Sequence, residues 1–70
     1  MKFNTDRLLT TGQAAEYLNV SVYWLEKARC RGHGPSYIRI TARAIRYRIS
    51  DLEAFLMQGV VETLSRGKTA

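Results

Sequence analysis

The spacing of apolar residues along this chain changes character twice. Ala14, Ala15 and Leu18 recur at the interval of a helix face, which predicts a helix over 11–18. Thr10 stands at its start as an N-cap, and Gln13, three residues on, completes a capping box, with Leu9 and Ala14 at the hydrophobic-staple positions. Asn19-Val20 interrupts the pattern, since Asn tolerates the left-handed backbone that a tight turn needs. Ser21 caps a second predicted helix over 22–31, with Leu25 and Ala28 turned inward and Gly32 as its terminator. Pro35 bars further helix, so 33–36 is a loop.

The period then drops to two. Ile38 and Ile40 share one face, with Tyr37, Arg39 and Thr41 on the other. Ile45, Tyr47 and Ile49 share a face in turn, opposite Arg46 and Arg48. This predicts a hairpin of strands 37–40 and 45–49 with an apolar underside and an arginine-bearing upper side. A lone hairpin is marginal in water, so its apolar face is expected to pack on the helices. Ser50-Asp51-Leu52-Glu53 reads as a second capping box, opening a third helix over 51–58 whose buried stripe is Leu52, Phe55 and Leu56. The pattern continues weakly to 64 through Val60, Val61 and Leu64, past a Gly59 that costs about 1 kcal/mol inside a helix. The expected organisation is an N-terminal arm (1–7), one mostly α, α+β domain (8–58), and a tail (59–70) that is partly helical or disordered.

Composition narrows the function. A chain of 70 residues holds one domain at most and buries only roughly 60% of its unfolded surface. Cys30 is the sole cysteine and His33 the sole histidine, so neither an intrachain disulfide nor a Cys/His metal site is expected. No nucleophile–base pair or phosphate loop is visible, and the expectation is a protein without catalysis or cofactor. No apolar run approaches the ~20 residues of a membrane span, and 1–6 carries no apolar leader core, so a cytoplasmic location is expected.

Charge changes the picture most. Between Lys27 and Arg48 lie seven of the eleven basic residues and none of the six acidic ones. A field gathered this way suits a polyanion, with duplex DNA the leading candidate. Two helices joined by a short turn, with small Ala15 where they cross, permissive Asn19, and Leu18, Val20, Leu25 and Ala28 as the apolar clamp, form the layout of a helix-turn-helix. The arginine-bearing hairpin that follows is then a wing.

The segments Leu8-Leu9-Thr10-Thr11, Ala14-Ala15, Leu18, Val20-Ser21 and Leu25-Glu26-Lys27 resemble the excisionase-type, MerR-like winged helix-turn-helix family. So do Gly34-Pro35-Ser36-Tyr37-Ile38-Arg39-Ile40, Ile45-Arg46-Tyr47-Arg48 and Ser50-Asp51-Leu52-Glu53-Ala54-Phe55-Leu56; the ordered series spans about residues 8–57. The resemblance implies a small phage, prophage or mobile-element factor, in a bacterial or phage-derived setting, that binds double-stranded DNA as an excisionase or a transcriptional regulator. It places Val22, Tyr23, Glu26 and Lys27 on the recognition face and 43–48 on the wing. Two departures stand out: Thr41-Ala42-Arg43-Ala44 replaces the glycine turn common in family wings, and Trp24 replaces a smaller residue.

The full set of expected DNA contacts is Ser21, Val22, Tyr23, Glu26, Lys27, Arg29 and Arg31 on the second helix, with Arg39, Arg43, Arg46 and Arg48 on the hairpin. Each has an alternative. Arg46 and Arg48 are otherwise a solvated sheet face, and Glu26 either accepts from a cytosine amine or balances Lys27 or Arg29. Trp24 is expected half-buried between the second helix and the wing, Tyr37 and Tyr47 at the core or its edge, and Cys30 inert. A rival reading is a protein-interaction module that docks on a recombinase or pairs with a second copy through the third helix and tail. An RNA-binding reading lacks strand aromatics exposed for base stacking.

Overall fold

The computed structural model describes residues 7–61. Most of the expected arm, and the tail beyond Val61 with its Leu64, lie outside the described residues. The elements run β1 (Leu8–Leu9), α1 (Thr11–Leu18), α2 (Val22–Arg31), β2 (Ile38–Arg39), β3 (Ile45–Arg48) and α3 (Ile49–Gln58).

Both ends of α1 and α2 are made as their sequences dictate. Gln13 N–H donates to Thr10 Oγ1 (3.2 Å) and Thr10 N–H to Gln13 Oε1 (3.0 Å), closing the capping box. Trp24 N–H donates to Ser21 Oγ at 2.9 Å. Asn19 is left-handed (φ 61°, ψ 43°), which lets Val20 N–H reach back to the Ala15 carbonyl at 2.9 Å. Gly32 does the same for α2 (φ 77°), with His33 N–H on the Ala28 carbonyl at 3.1 Å. The left-handed corner at Asn19 lets α2 turn back across α1, where the buried Ala15 permits close approach.

The three strands form one antiparallel sheet in the order β1-β3-β2. β1 goes beyond the expected hairpin. Two residues ahead of a helix cap offer no alternation to read, and their partner lies almost forty residues away: Leu9 stands opposite Tyr47 and Leu8 opposite Arg48. β3 is therefore the central strand. Its Tyr47 is the largest fully buried side chain, at 0% exposure, and joins Leu9, Ala14, Ala15, Leu18, Leu25 and Leu52 in the core. Val20, Ile45 and Ile49 pack around that cluster.

Two expectations for the third helix are corrected. β3 runs into α3 without a loop: Arg48 is extended (φ −89°, ψ 142°) and Ile49 is already helical. Ser50 thus lies inside the first turn and is not the N-cap, and Arg48 at that position makes no side-chain cap hydrogen bond. Arg48 instead pairs with Asp51, Nε to Oδ2 at 2.8 Å and Nη2 to Oδ1 at 3.1 Å, which holds a carboxylate at the positive end of the helix. The buried stripe also narrows. Leu52 is buried and Phe55 half-buried, but Leu56 is 44% exposed, because no described element covers the last helical turn. The helix stops at Gln58, with Gly59 as its C-cap.

Tyr17 ties α1 to α3, its hydroxyl donating to Glu53 Oε2 at 3.0 Å. That hydrogen bond, aided by slight desolvation and the Glu53 charge, raises the Tyr17 phenol above its ordinary 10.0. The protonated phenol is the donor, so the tie is intact below pH 10.0 and is lost as the pH rises through the raised value. Tyr17→Phe should lower the melting temperature slightly at pH 7, by a margin that vanishes in strong alkali. An unchanged margin across that range in circular-dichroism melts would contradict the tie.

The loop leaving α2 approaches it closely. A Cβ built on Gly34 would lie 2.9 Å from Ala28 Cβ. Ala28 is itself buried, so neither atom has room to yield. Gly34→Ala is expected to destabilise by about 1–3 kcal/mol in urea titration, as overpacking does.

Candidate nucleic-acid interface

With Leu25 and Ala28 buried, α2 turns Val22, Tyr23, Glu26, Lys27 and Cys30 to solvent. Tyr23 is 68% exposed, and Lys27 Nζ lies 5.4 Å from its ring centroid. Tyr23, Glu26, Lys27 and Cys30 line a shallow depression on this face. Glu26 forms no ion pair with Lys27 or Arg29: the Arg48–Asp51 pair is the salt bridge found among the described residues. The Ser21 hydroxyl oxygen caps the helix, so α2 presents its outer face from a fixed first turn. Trp24, expected half-buried, is 41% exposed. Its ring meets Phe55 at 6.4 Å and 55°, bridging α2 to α3.

Arg29 and Arg31 occupy the last turn of α2, where cations complement the negative helix end. Arg31 is exposed. Arg29 is half-buried and donates from Nη1 to the Tyr47 hydroxyl at 3.0 Å, which satisfies that otherwise buried phenol.

The hairpin departs from the expected division of faces. Ile38 stands opposite Arg46, and Arg39 opposite Ile45. Residues directly opposite one another in an antiparallel pair share a face. Arg39 therefore lies on the side of Ile45 and Tyr47, while Arg46 and Arg48 lie on the other, with Ile38 and Leu8. The hairpin's arginines do not form one upper surface. The turn is the cause. Ile40 N–H bonds the Ala44 carbonyl at 2.8 Å, and the Thr41 hydroxyl accepts from Arg43 N–H (3.2 Å) and Ala44 N–H (3.0 Å). Thr41 thereby closes the tip without a left-handed residue, since Asn19 and Gly32 are the positive-φ positions among the described residues. This turn sets the register one step from the one that would align the isoleucines, and leaves Ile40 54% exposed.

Arg43 projects from this exposed tip. Arg46 is half-buried, with Nη1 on the Ile45 carbonyl at 2.8 Å, and Arg48 carries the Asp51 pair. The feature that sequence reasoning missed is Tyr37. It shares the face of Arg39 and Tyr47, contacts the Tyr47 ring at 6.1 Å, and has the guanidinium carbons of Arg29 and Arg39 at 5.7 and 5.9 Å from its centroid. Alternation puts Arg39 on the Tyr37 face, but the Arg29 and Tyr47 contacts depend on how the strands and α2 come together, which no spacing rule signals.

The surface thus brings together the open face of α2, its C-terminal arginines, and Arg39 beside Tyr37. No group of three or more His, Cys, Asp or Glu among the described residues is placed to hold a metal ion. No described helix is long and apolar enough to cross a membrane.

Comparison with known proteins agrees with this architecture. No curated protein matches the chain significantly. A family model described as a helix-turn-helix domain matches residues 8–60, which takes in every element from β1 to α3. Three helices with a small antiparallel sheet packed on the first and third are the winged form of that arrangement. The chain belongs to the helix-turn-helix domain family, a family of non-catalytic DNA-binding modules.

Proposed function

We propose that this chain binds double-stranded DNA with α2 in the major groove and the β2–β3 hairpin as a wing beside it, acting as an excisionase or a small transcriptional regulator in a bacterial or phage-derived cytoplasm. The observation that carries this reading is the pairing of an open α2 face with cations that have no carboxylate partner among the described residues: Lys27, Arg29, Arg31, Arg39 and Arg43. Val22, Tyr23, Glu26 and Lys27 are the side chains in position for base edges, and the arginines for phosphates. Arg46 and Arg48, on the other face of the sheet, contribute less to this surface.

Selection of bound duplexes from a random pool tests it. Glu26→Ala or Lys27→Ala should change which sequence is enriched, whereas Arg43→Ala should weaken all sequences together. Enrichment of the same sequence by all three variants, at undiminished affinity, would refute the assignment. Tandem sites in the selected DNA would favour cooperative assembly of an excisionase type, and a palindrome a symmetric regulator.

One observation favours a second reading, docking on a recombinase or on a second copy. Leu56, Met57, Val60 and Val61 are all exposed at the end of α3. Sedimentation with and without residues 59–70 distinguishes them: association through this end with no duplex affinity would replace the first reading.

A further inference from the structure

Two guanidinium groups, from Arg29 on α2 and Arg39 on β2, lie within 6 Å of the single ring of Tyr37. No described carboxylate pairs with either. Gathering like charges around one ring is unfavourable unless an anion joins them. Each arginine also gains from the ring face, which holds a cation without consuming its N–H donors. Arg39 has no hydrogen-bond acceptor among the described residues, and Arg29 has one, the Tyr47 hydroxyl on Nη1. A guanidinium carries five N–H donors, so most of the donors on both groups stay open.

Anchoring comes from the core outward. Tyr47 is fully buried on β3, its hydroxyl fixes Arg29, and its ring supports Tyr37 at 6.1 Å. Tyr37 is 37% exposed, so the cluster opens at the surface where α2 ends and the wing begins. That seam borders the open α2 face.

We infer that Arg29 and Arg39, held about the Tyr37 ring, form a single pre-arranged clamp for the DNA sugar-phosphate backbone, with Tyr37 and Tyr47 as its positioning residues. The inference rests on duplex DNA being the ligand. It assigns Tyr37 its role through the ring and not the hydroxyl, and it makes the two arginines act as a pair. Rigid orientation of charged donors lowers the ordering cost of each contact, so loosening the ring should weaken binding although both charges remain.

The test is fluorescence anisotropy of the full chain on a labelled 20-base-pair duplex of random sequence, across a sodium chloride series. Arg29→Ala and Arg39→Ala should each lower affinity about 10-fold and reduce the steepness of the log K against log salt plot by about 1. The double variant should lose less than the product of the single losses. Tyr37→Leu should lower affinity about 5-fold with the slope kept nearer wild type, and Tyr37→Phe should bind as wild type. Circular-dichroism melts confine the comparison to folded variants, and Arg39→Lys supplies a variant that keeps the charge without the fork. It should bind more weakly than wild type at an unchanged slope. Equal loss in Tyr37→Phe and Tyr37→Leu would overturn the ring's role. Fully additive arginine losses, or undiminished affinity in Arg29→Ala, would overturn the clamp while leaving DNA binding in place. A wild-type chain that binds no duplex would overturn both.

Discussion

Leu25→Ala is expected to remove most of the domain's stability. Leu25 is 0% exposed and sits where α2 meets the core, among Ala15, Leu18, Tyr47 and Leu52. Truncation there loses the transfer free energy of the side chain and leaves a cavity that tightly packed neighbours cannot fill, a loss of about 2–5 kcal/mol. A domain of this length holds only about 4–10 kcal/mol in total. The melting temperature should therefore fall by roughly 10–30 °C, followed by circular dichroism. Tyr23→Ala, two residues earlier on the open face, should leave the melt nearly unchanged. A shift under about 4 °C for Leu25→Ala would mean that α2 is not seated as described.

Duplex affinity should fall by roughly two to three orders of magnitude between 50 and 200 mM salt, by an estimate that assigns one phosphate to each of five cations and a slope of about −0.9 per phosphate. The five are Lys27, Arg29, Arg31, Arg39 and Arg43, which face no carboxylate among the described residues. Arg46 and Arg48 contribute less, since one is turned onto the Ile45 carbonyl and the other is held by Asp51. The double variant Arg46→Ala/Arg48→Ala should therefore flatten the salt plot less than Arg39→Ala/Arg43→Ala. The reverse order in anisotropy titrations would move the interface to the other face of the sheet.

Local chemistry made the helical half of the molecule readable. Thr10 with Gln13, Asn19, Ser21 and Gly32 each act through neighbours a few residues away, and each does in the fold what its side chain or backbone favours. The inward positions Ala14, Ala15, Leu18, Leu25 and Ala28 follow from period alone. The sheet was less legible because its decisive relations are between strands. Alternation identifies the two faces of β3 but not which residue of β2 lies opposite, and Thr41's turn settled that in the other register. β1 depends on a partner remote in sequence. The start of α3 misled for a related reason: Ser50 has the chemistry of a cap, but the strand delivers helical backbone one residue too early for it to serve as one. Of Tyr37's two cationic neighbours, Arg39 follows from alternation, while Arg29 comes from another element and had no sequence signal.

Backbone-amide NMR of the full chain, titrated with a duplex enriched from a random pool, tests the central claim most directly. The account predicts that the largest shifts fall on Val22, Tyr23, Glu26 and Lys27, and along Tyr37, Arg39 and Arg43, while Leu56 and Met57 stay still. Shifts gathered at Leu56, Met57 and Val60 over an unmoved α2 would contradict it.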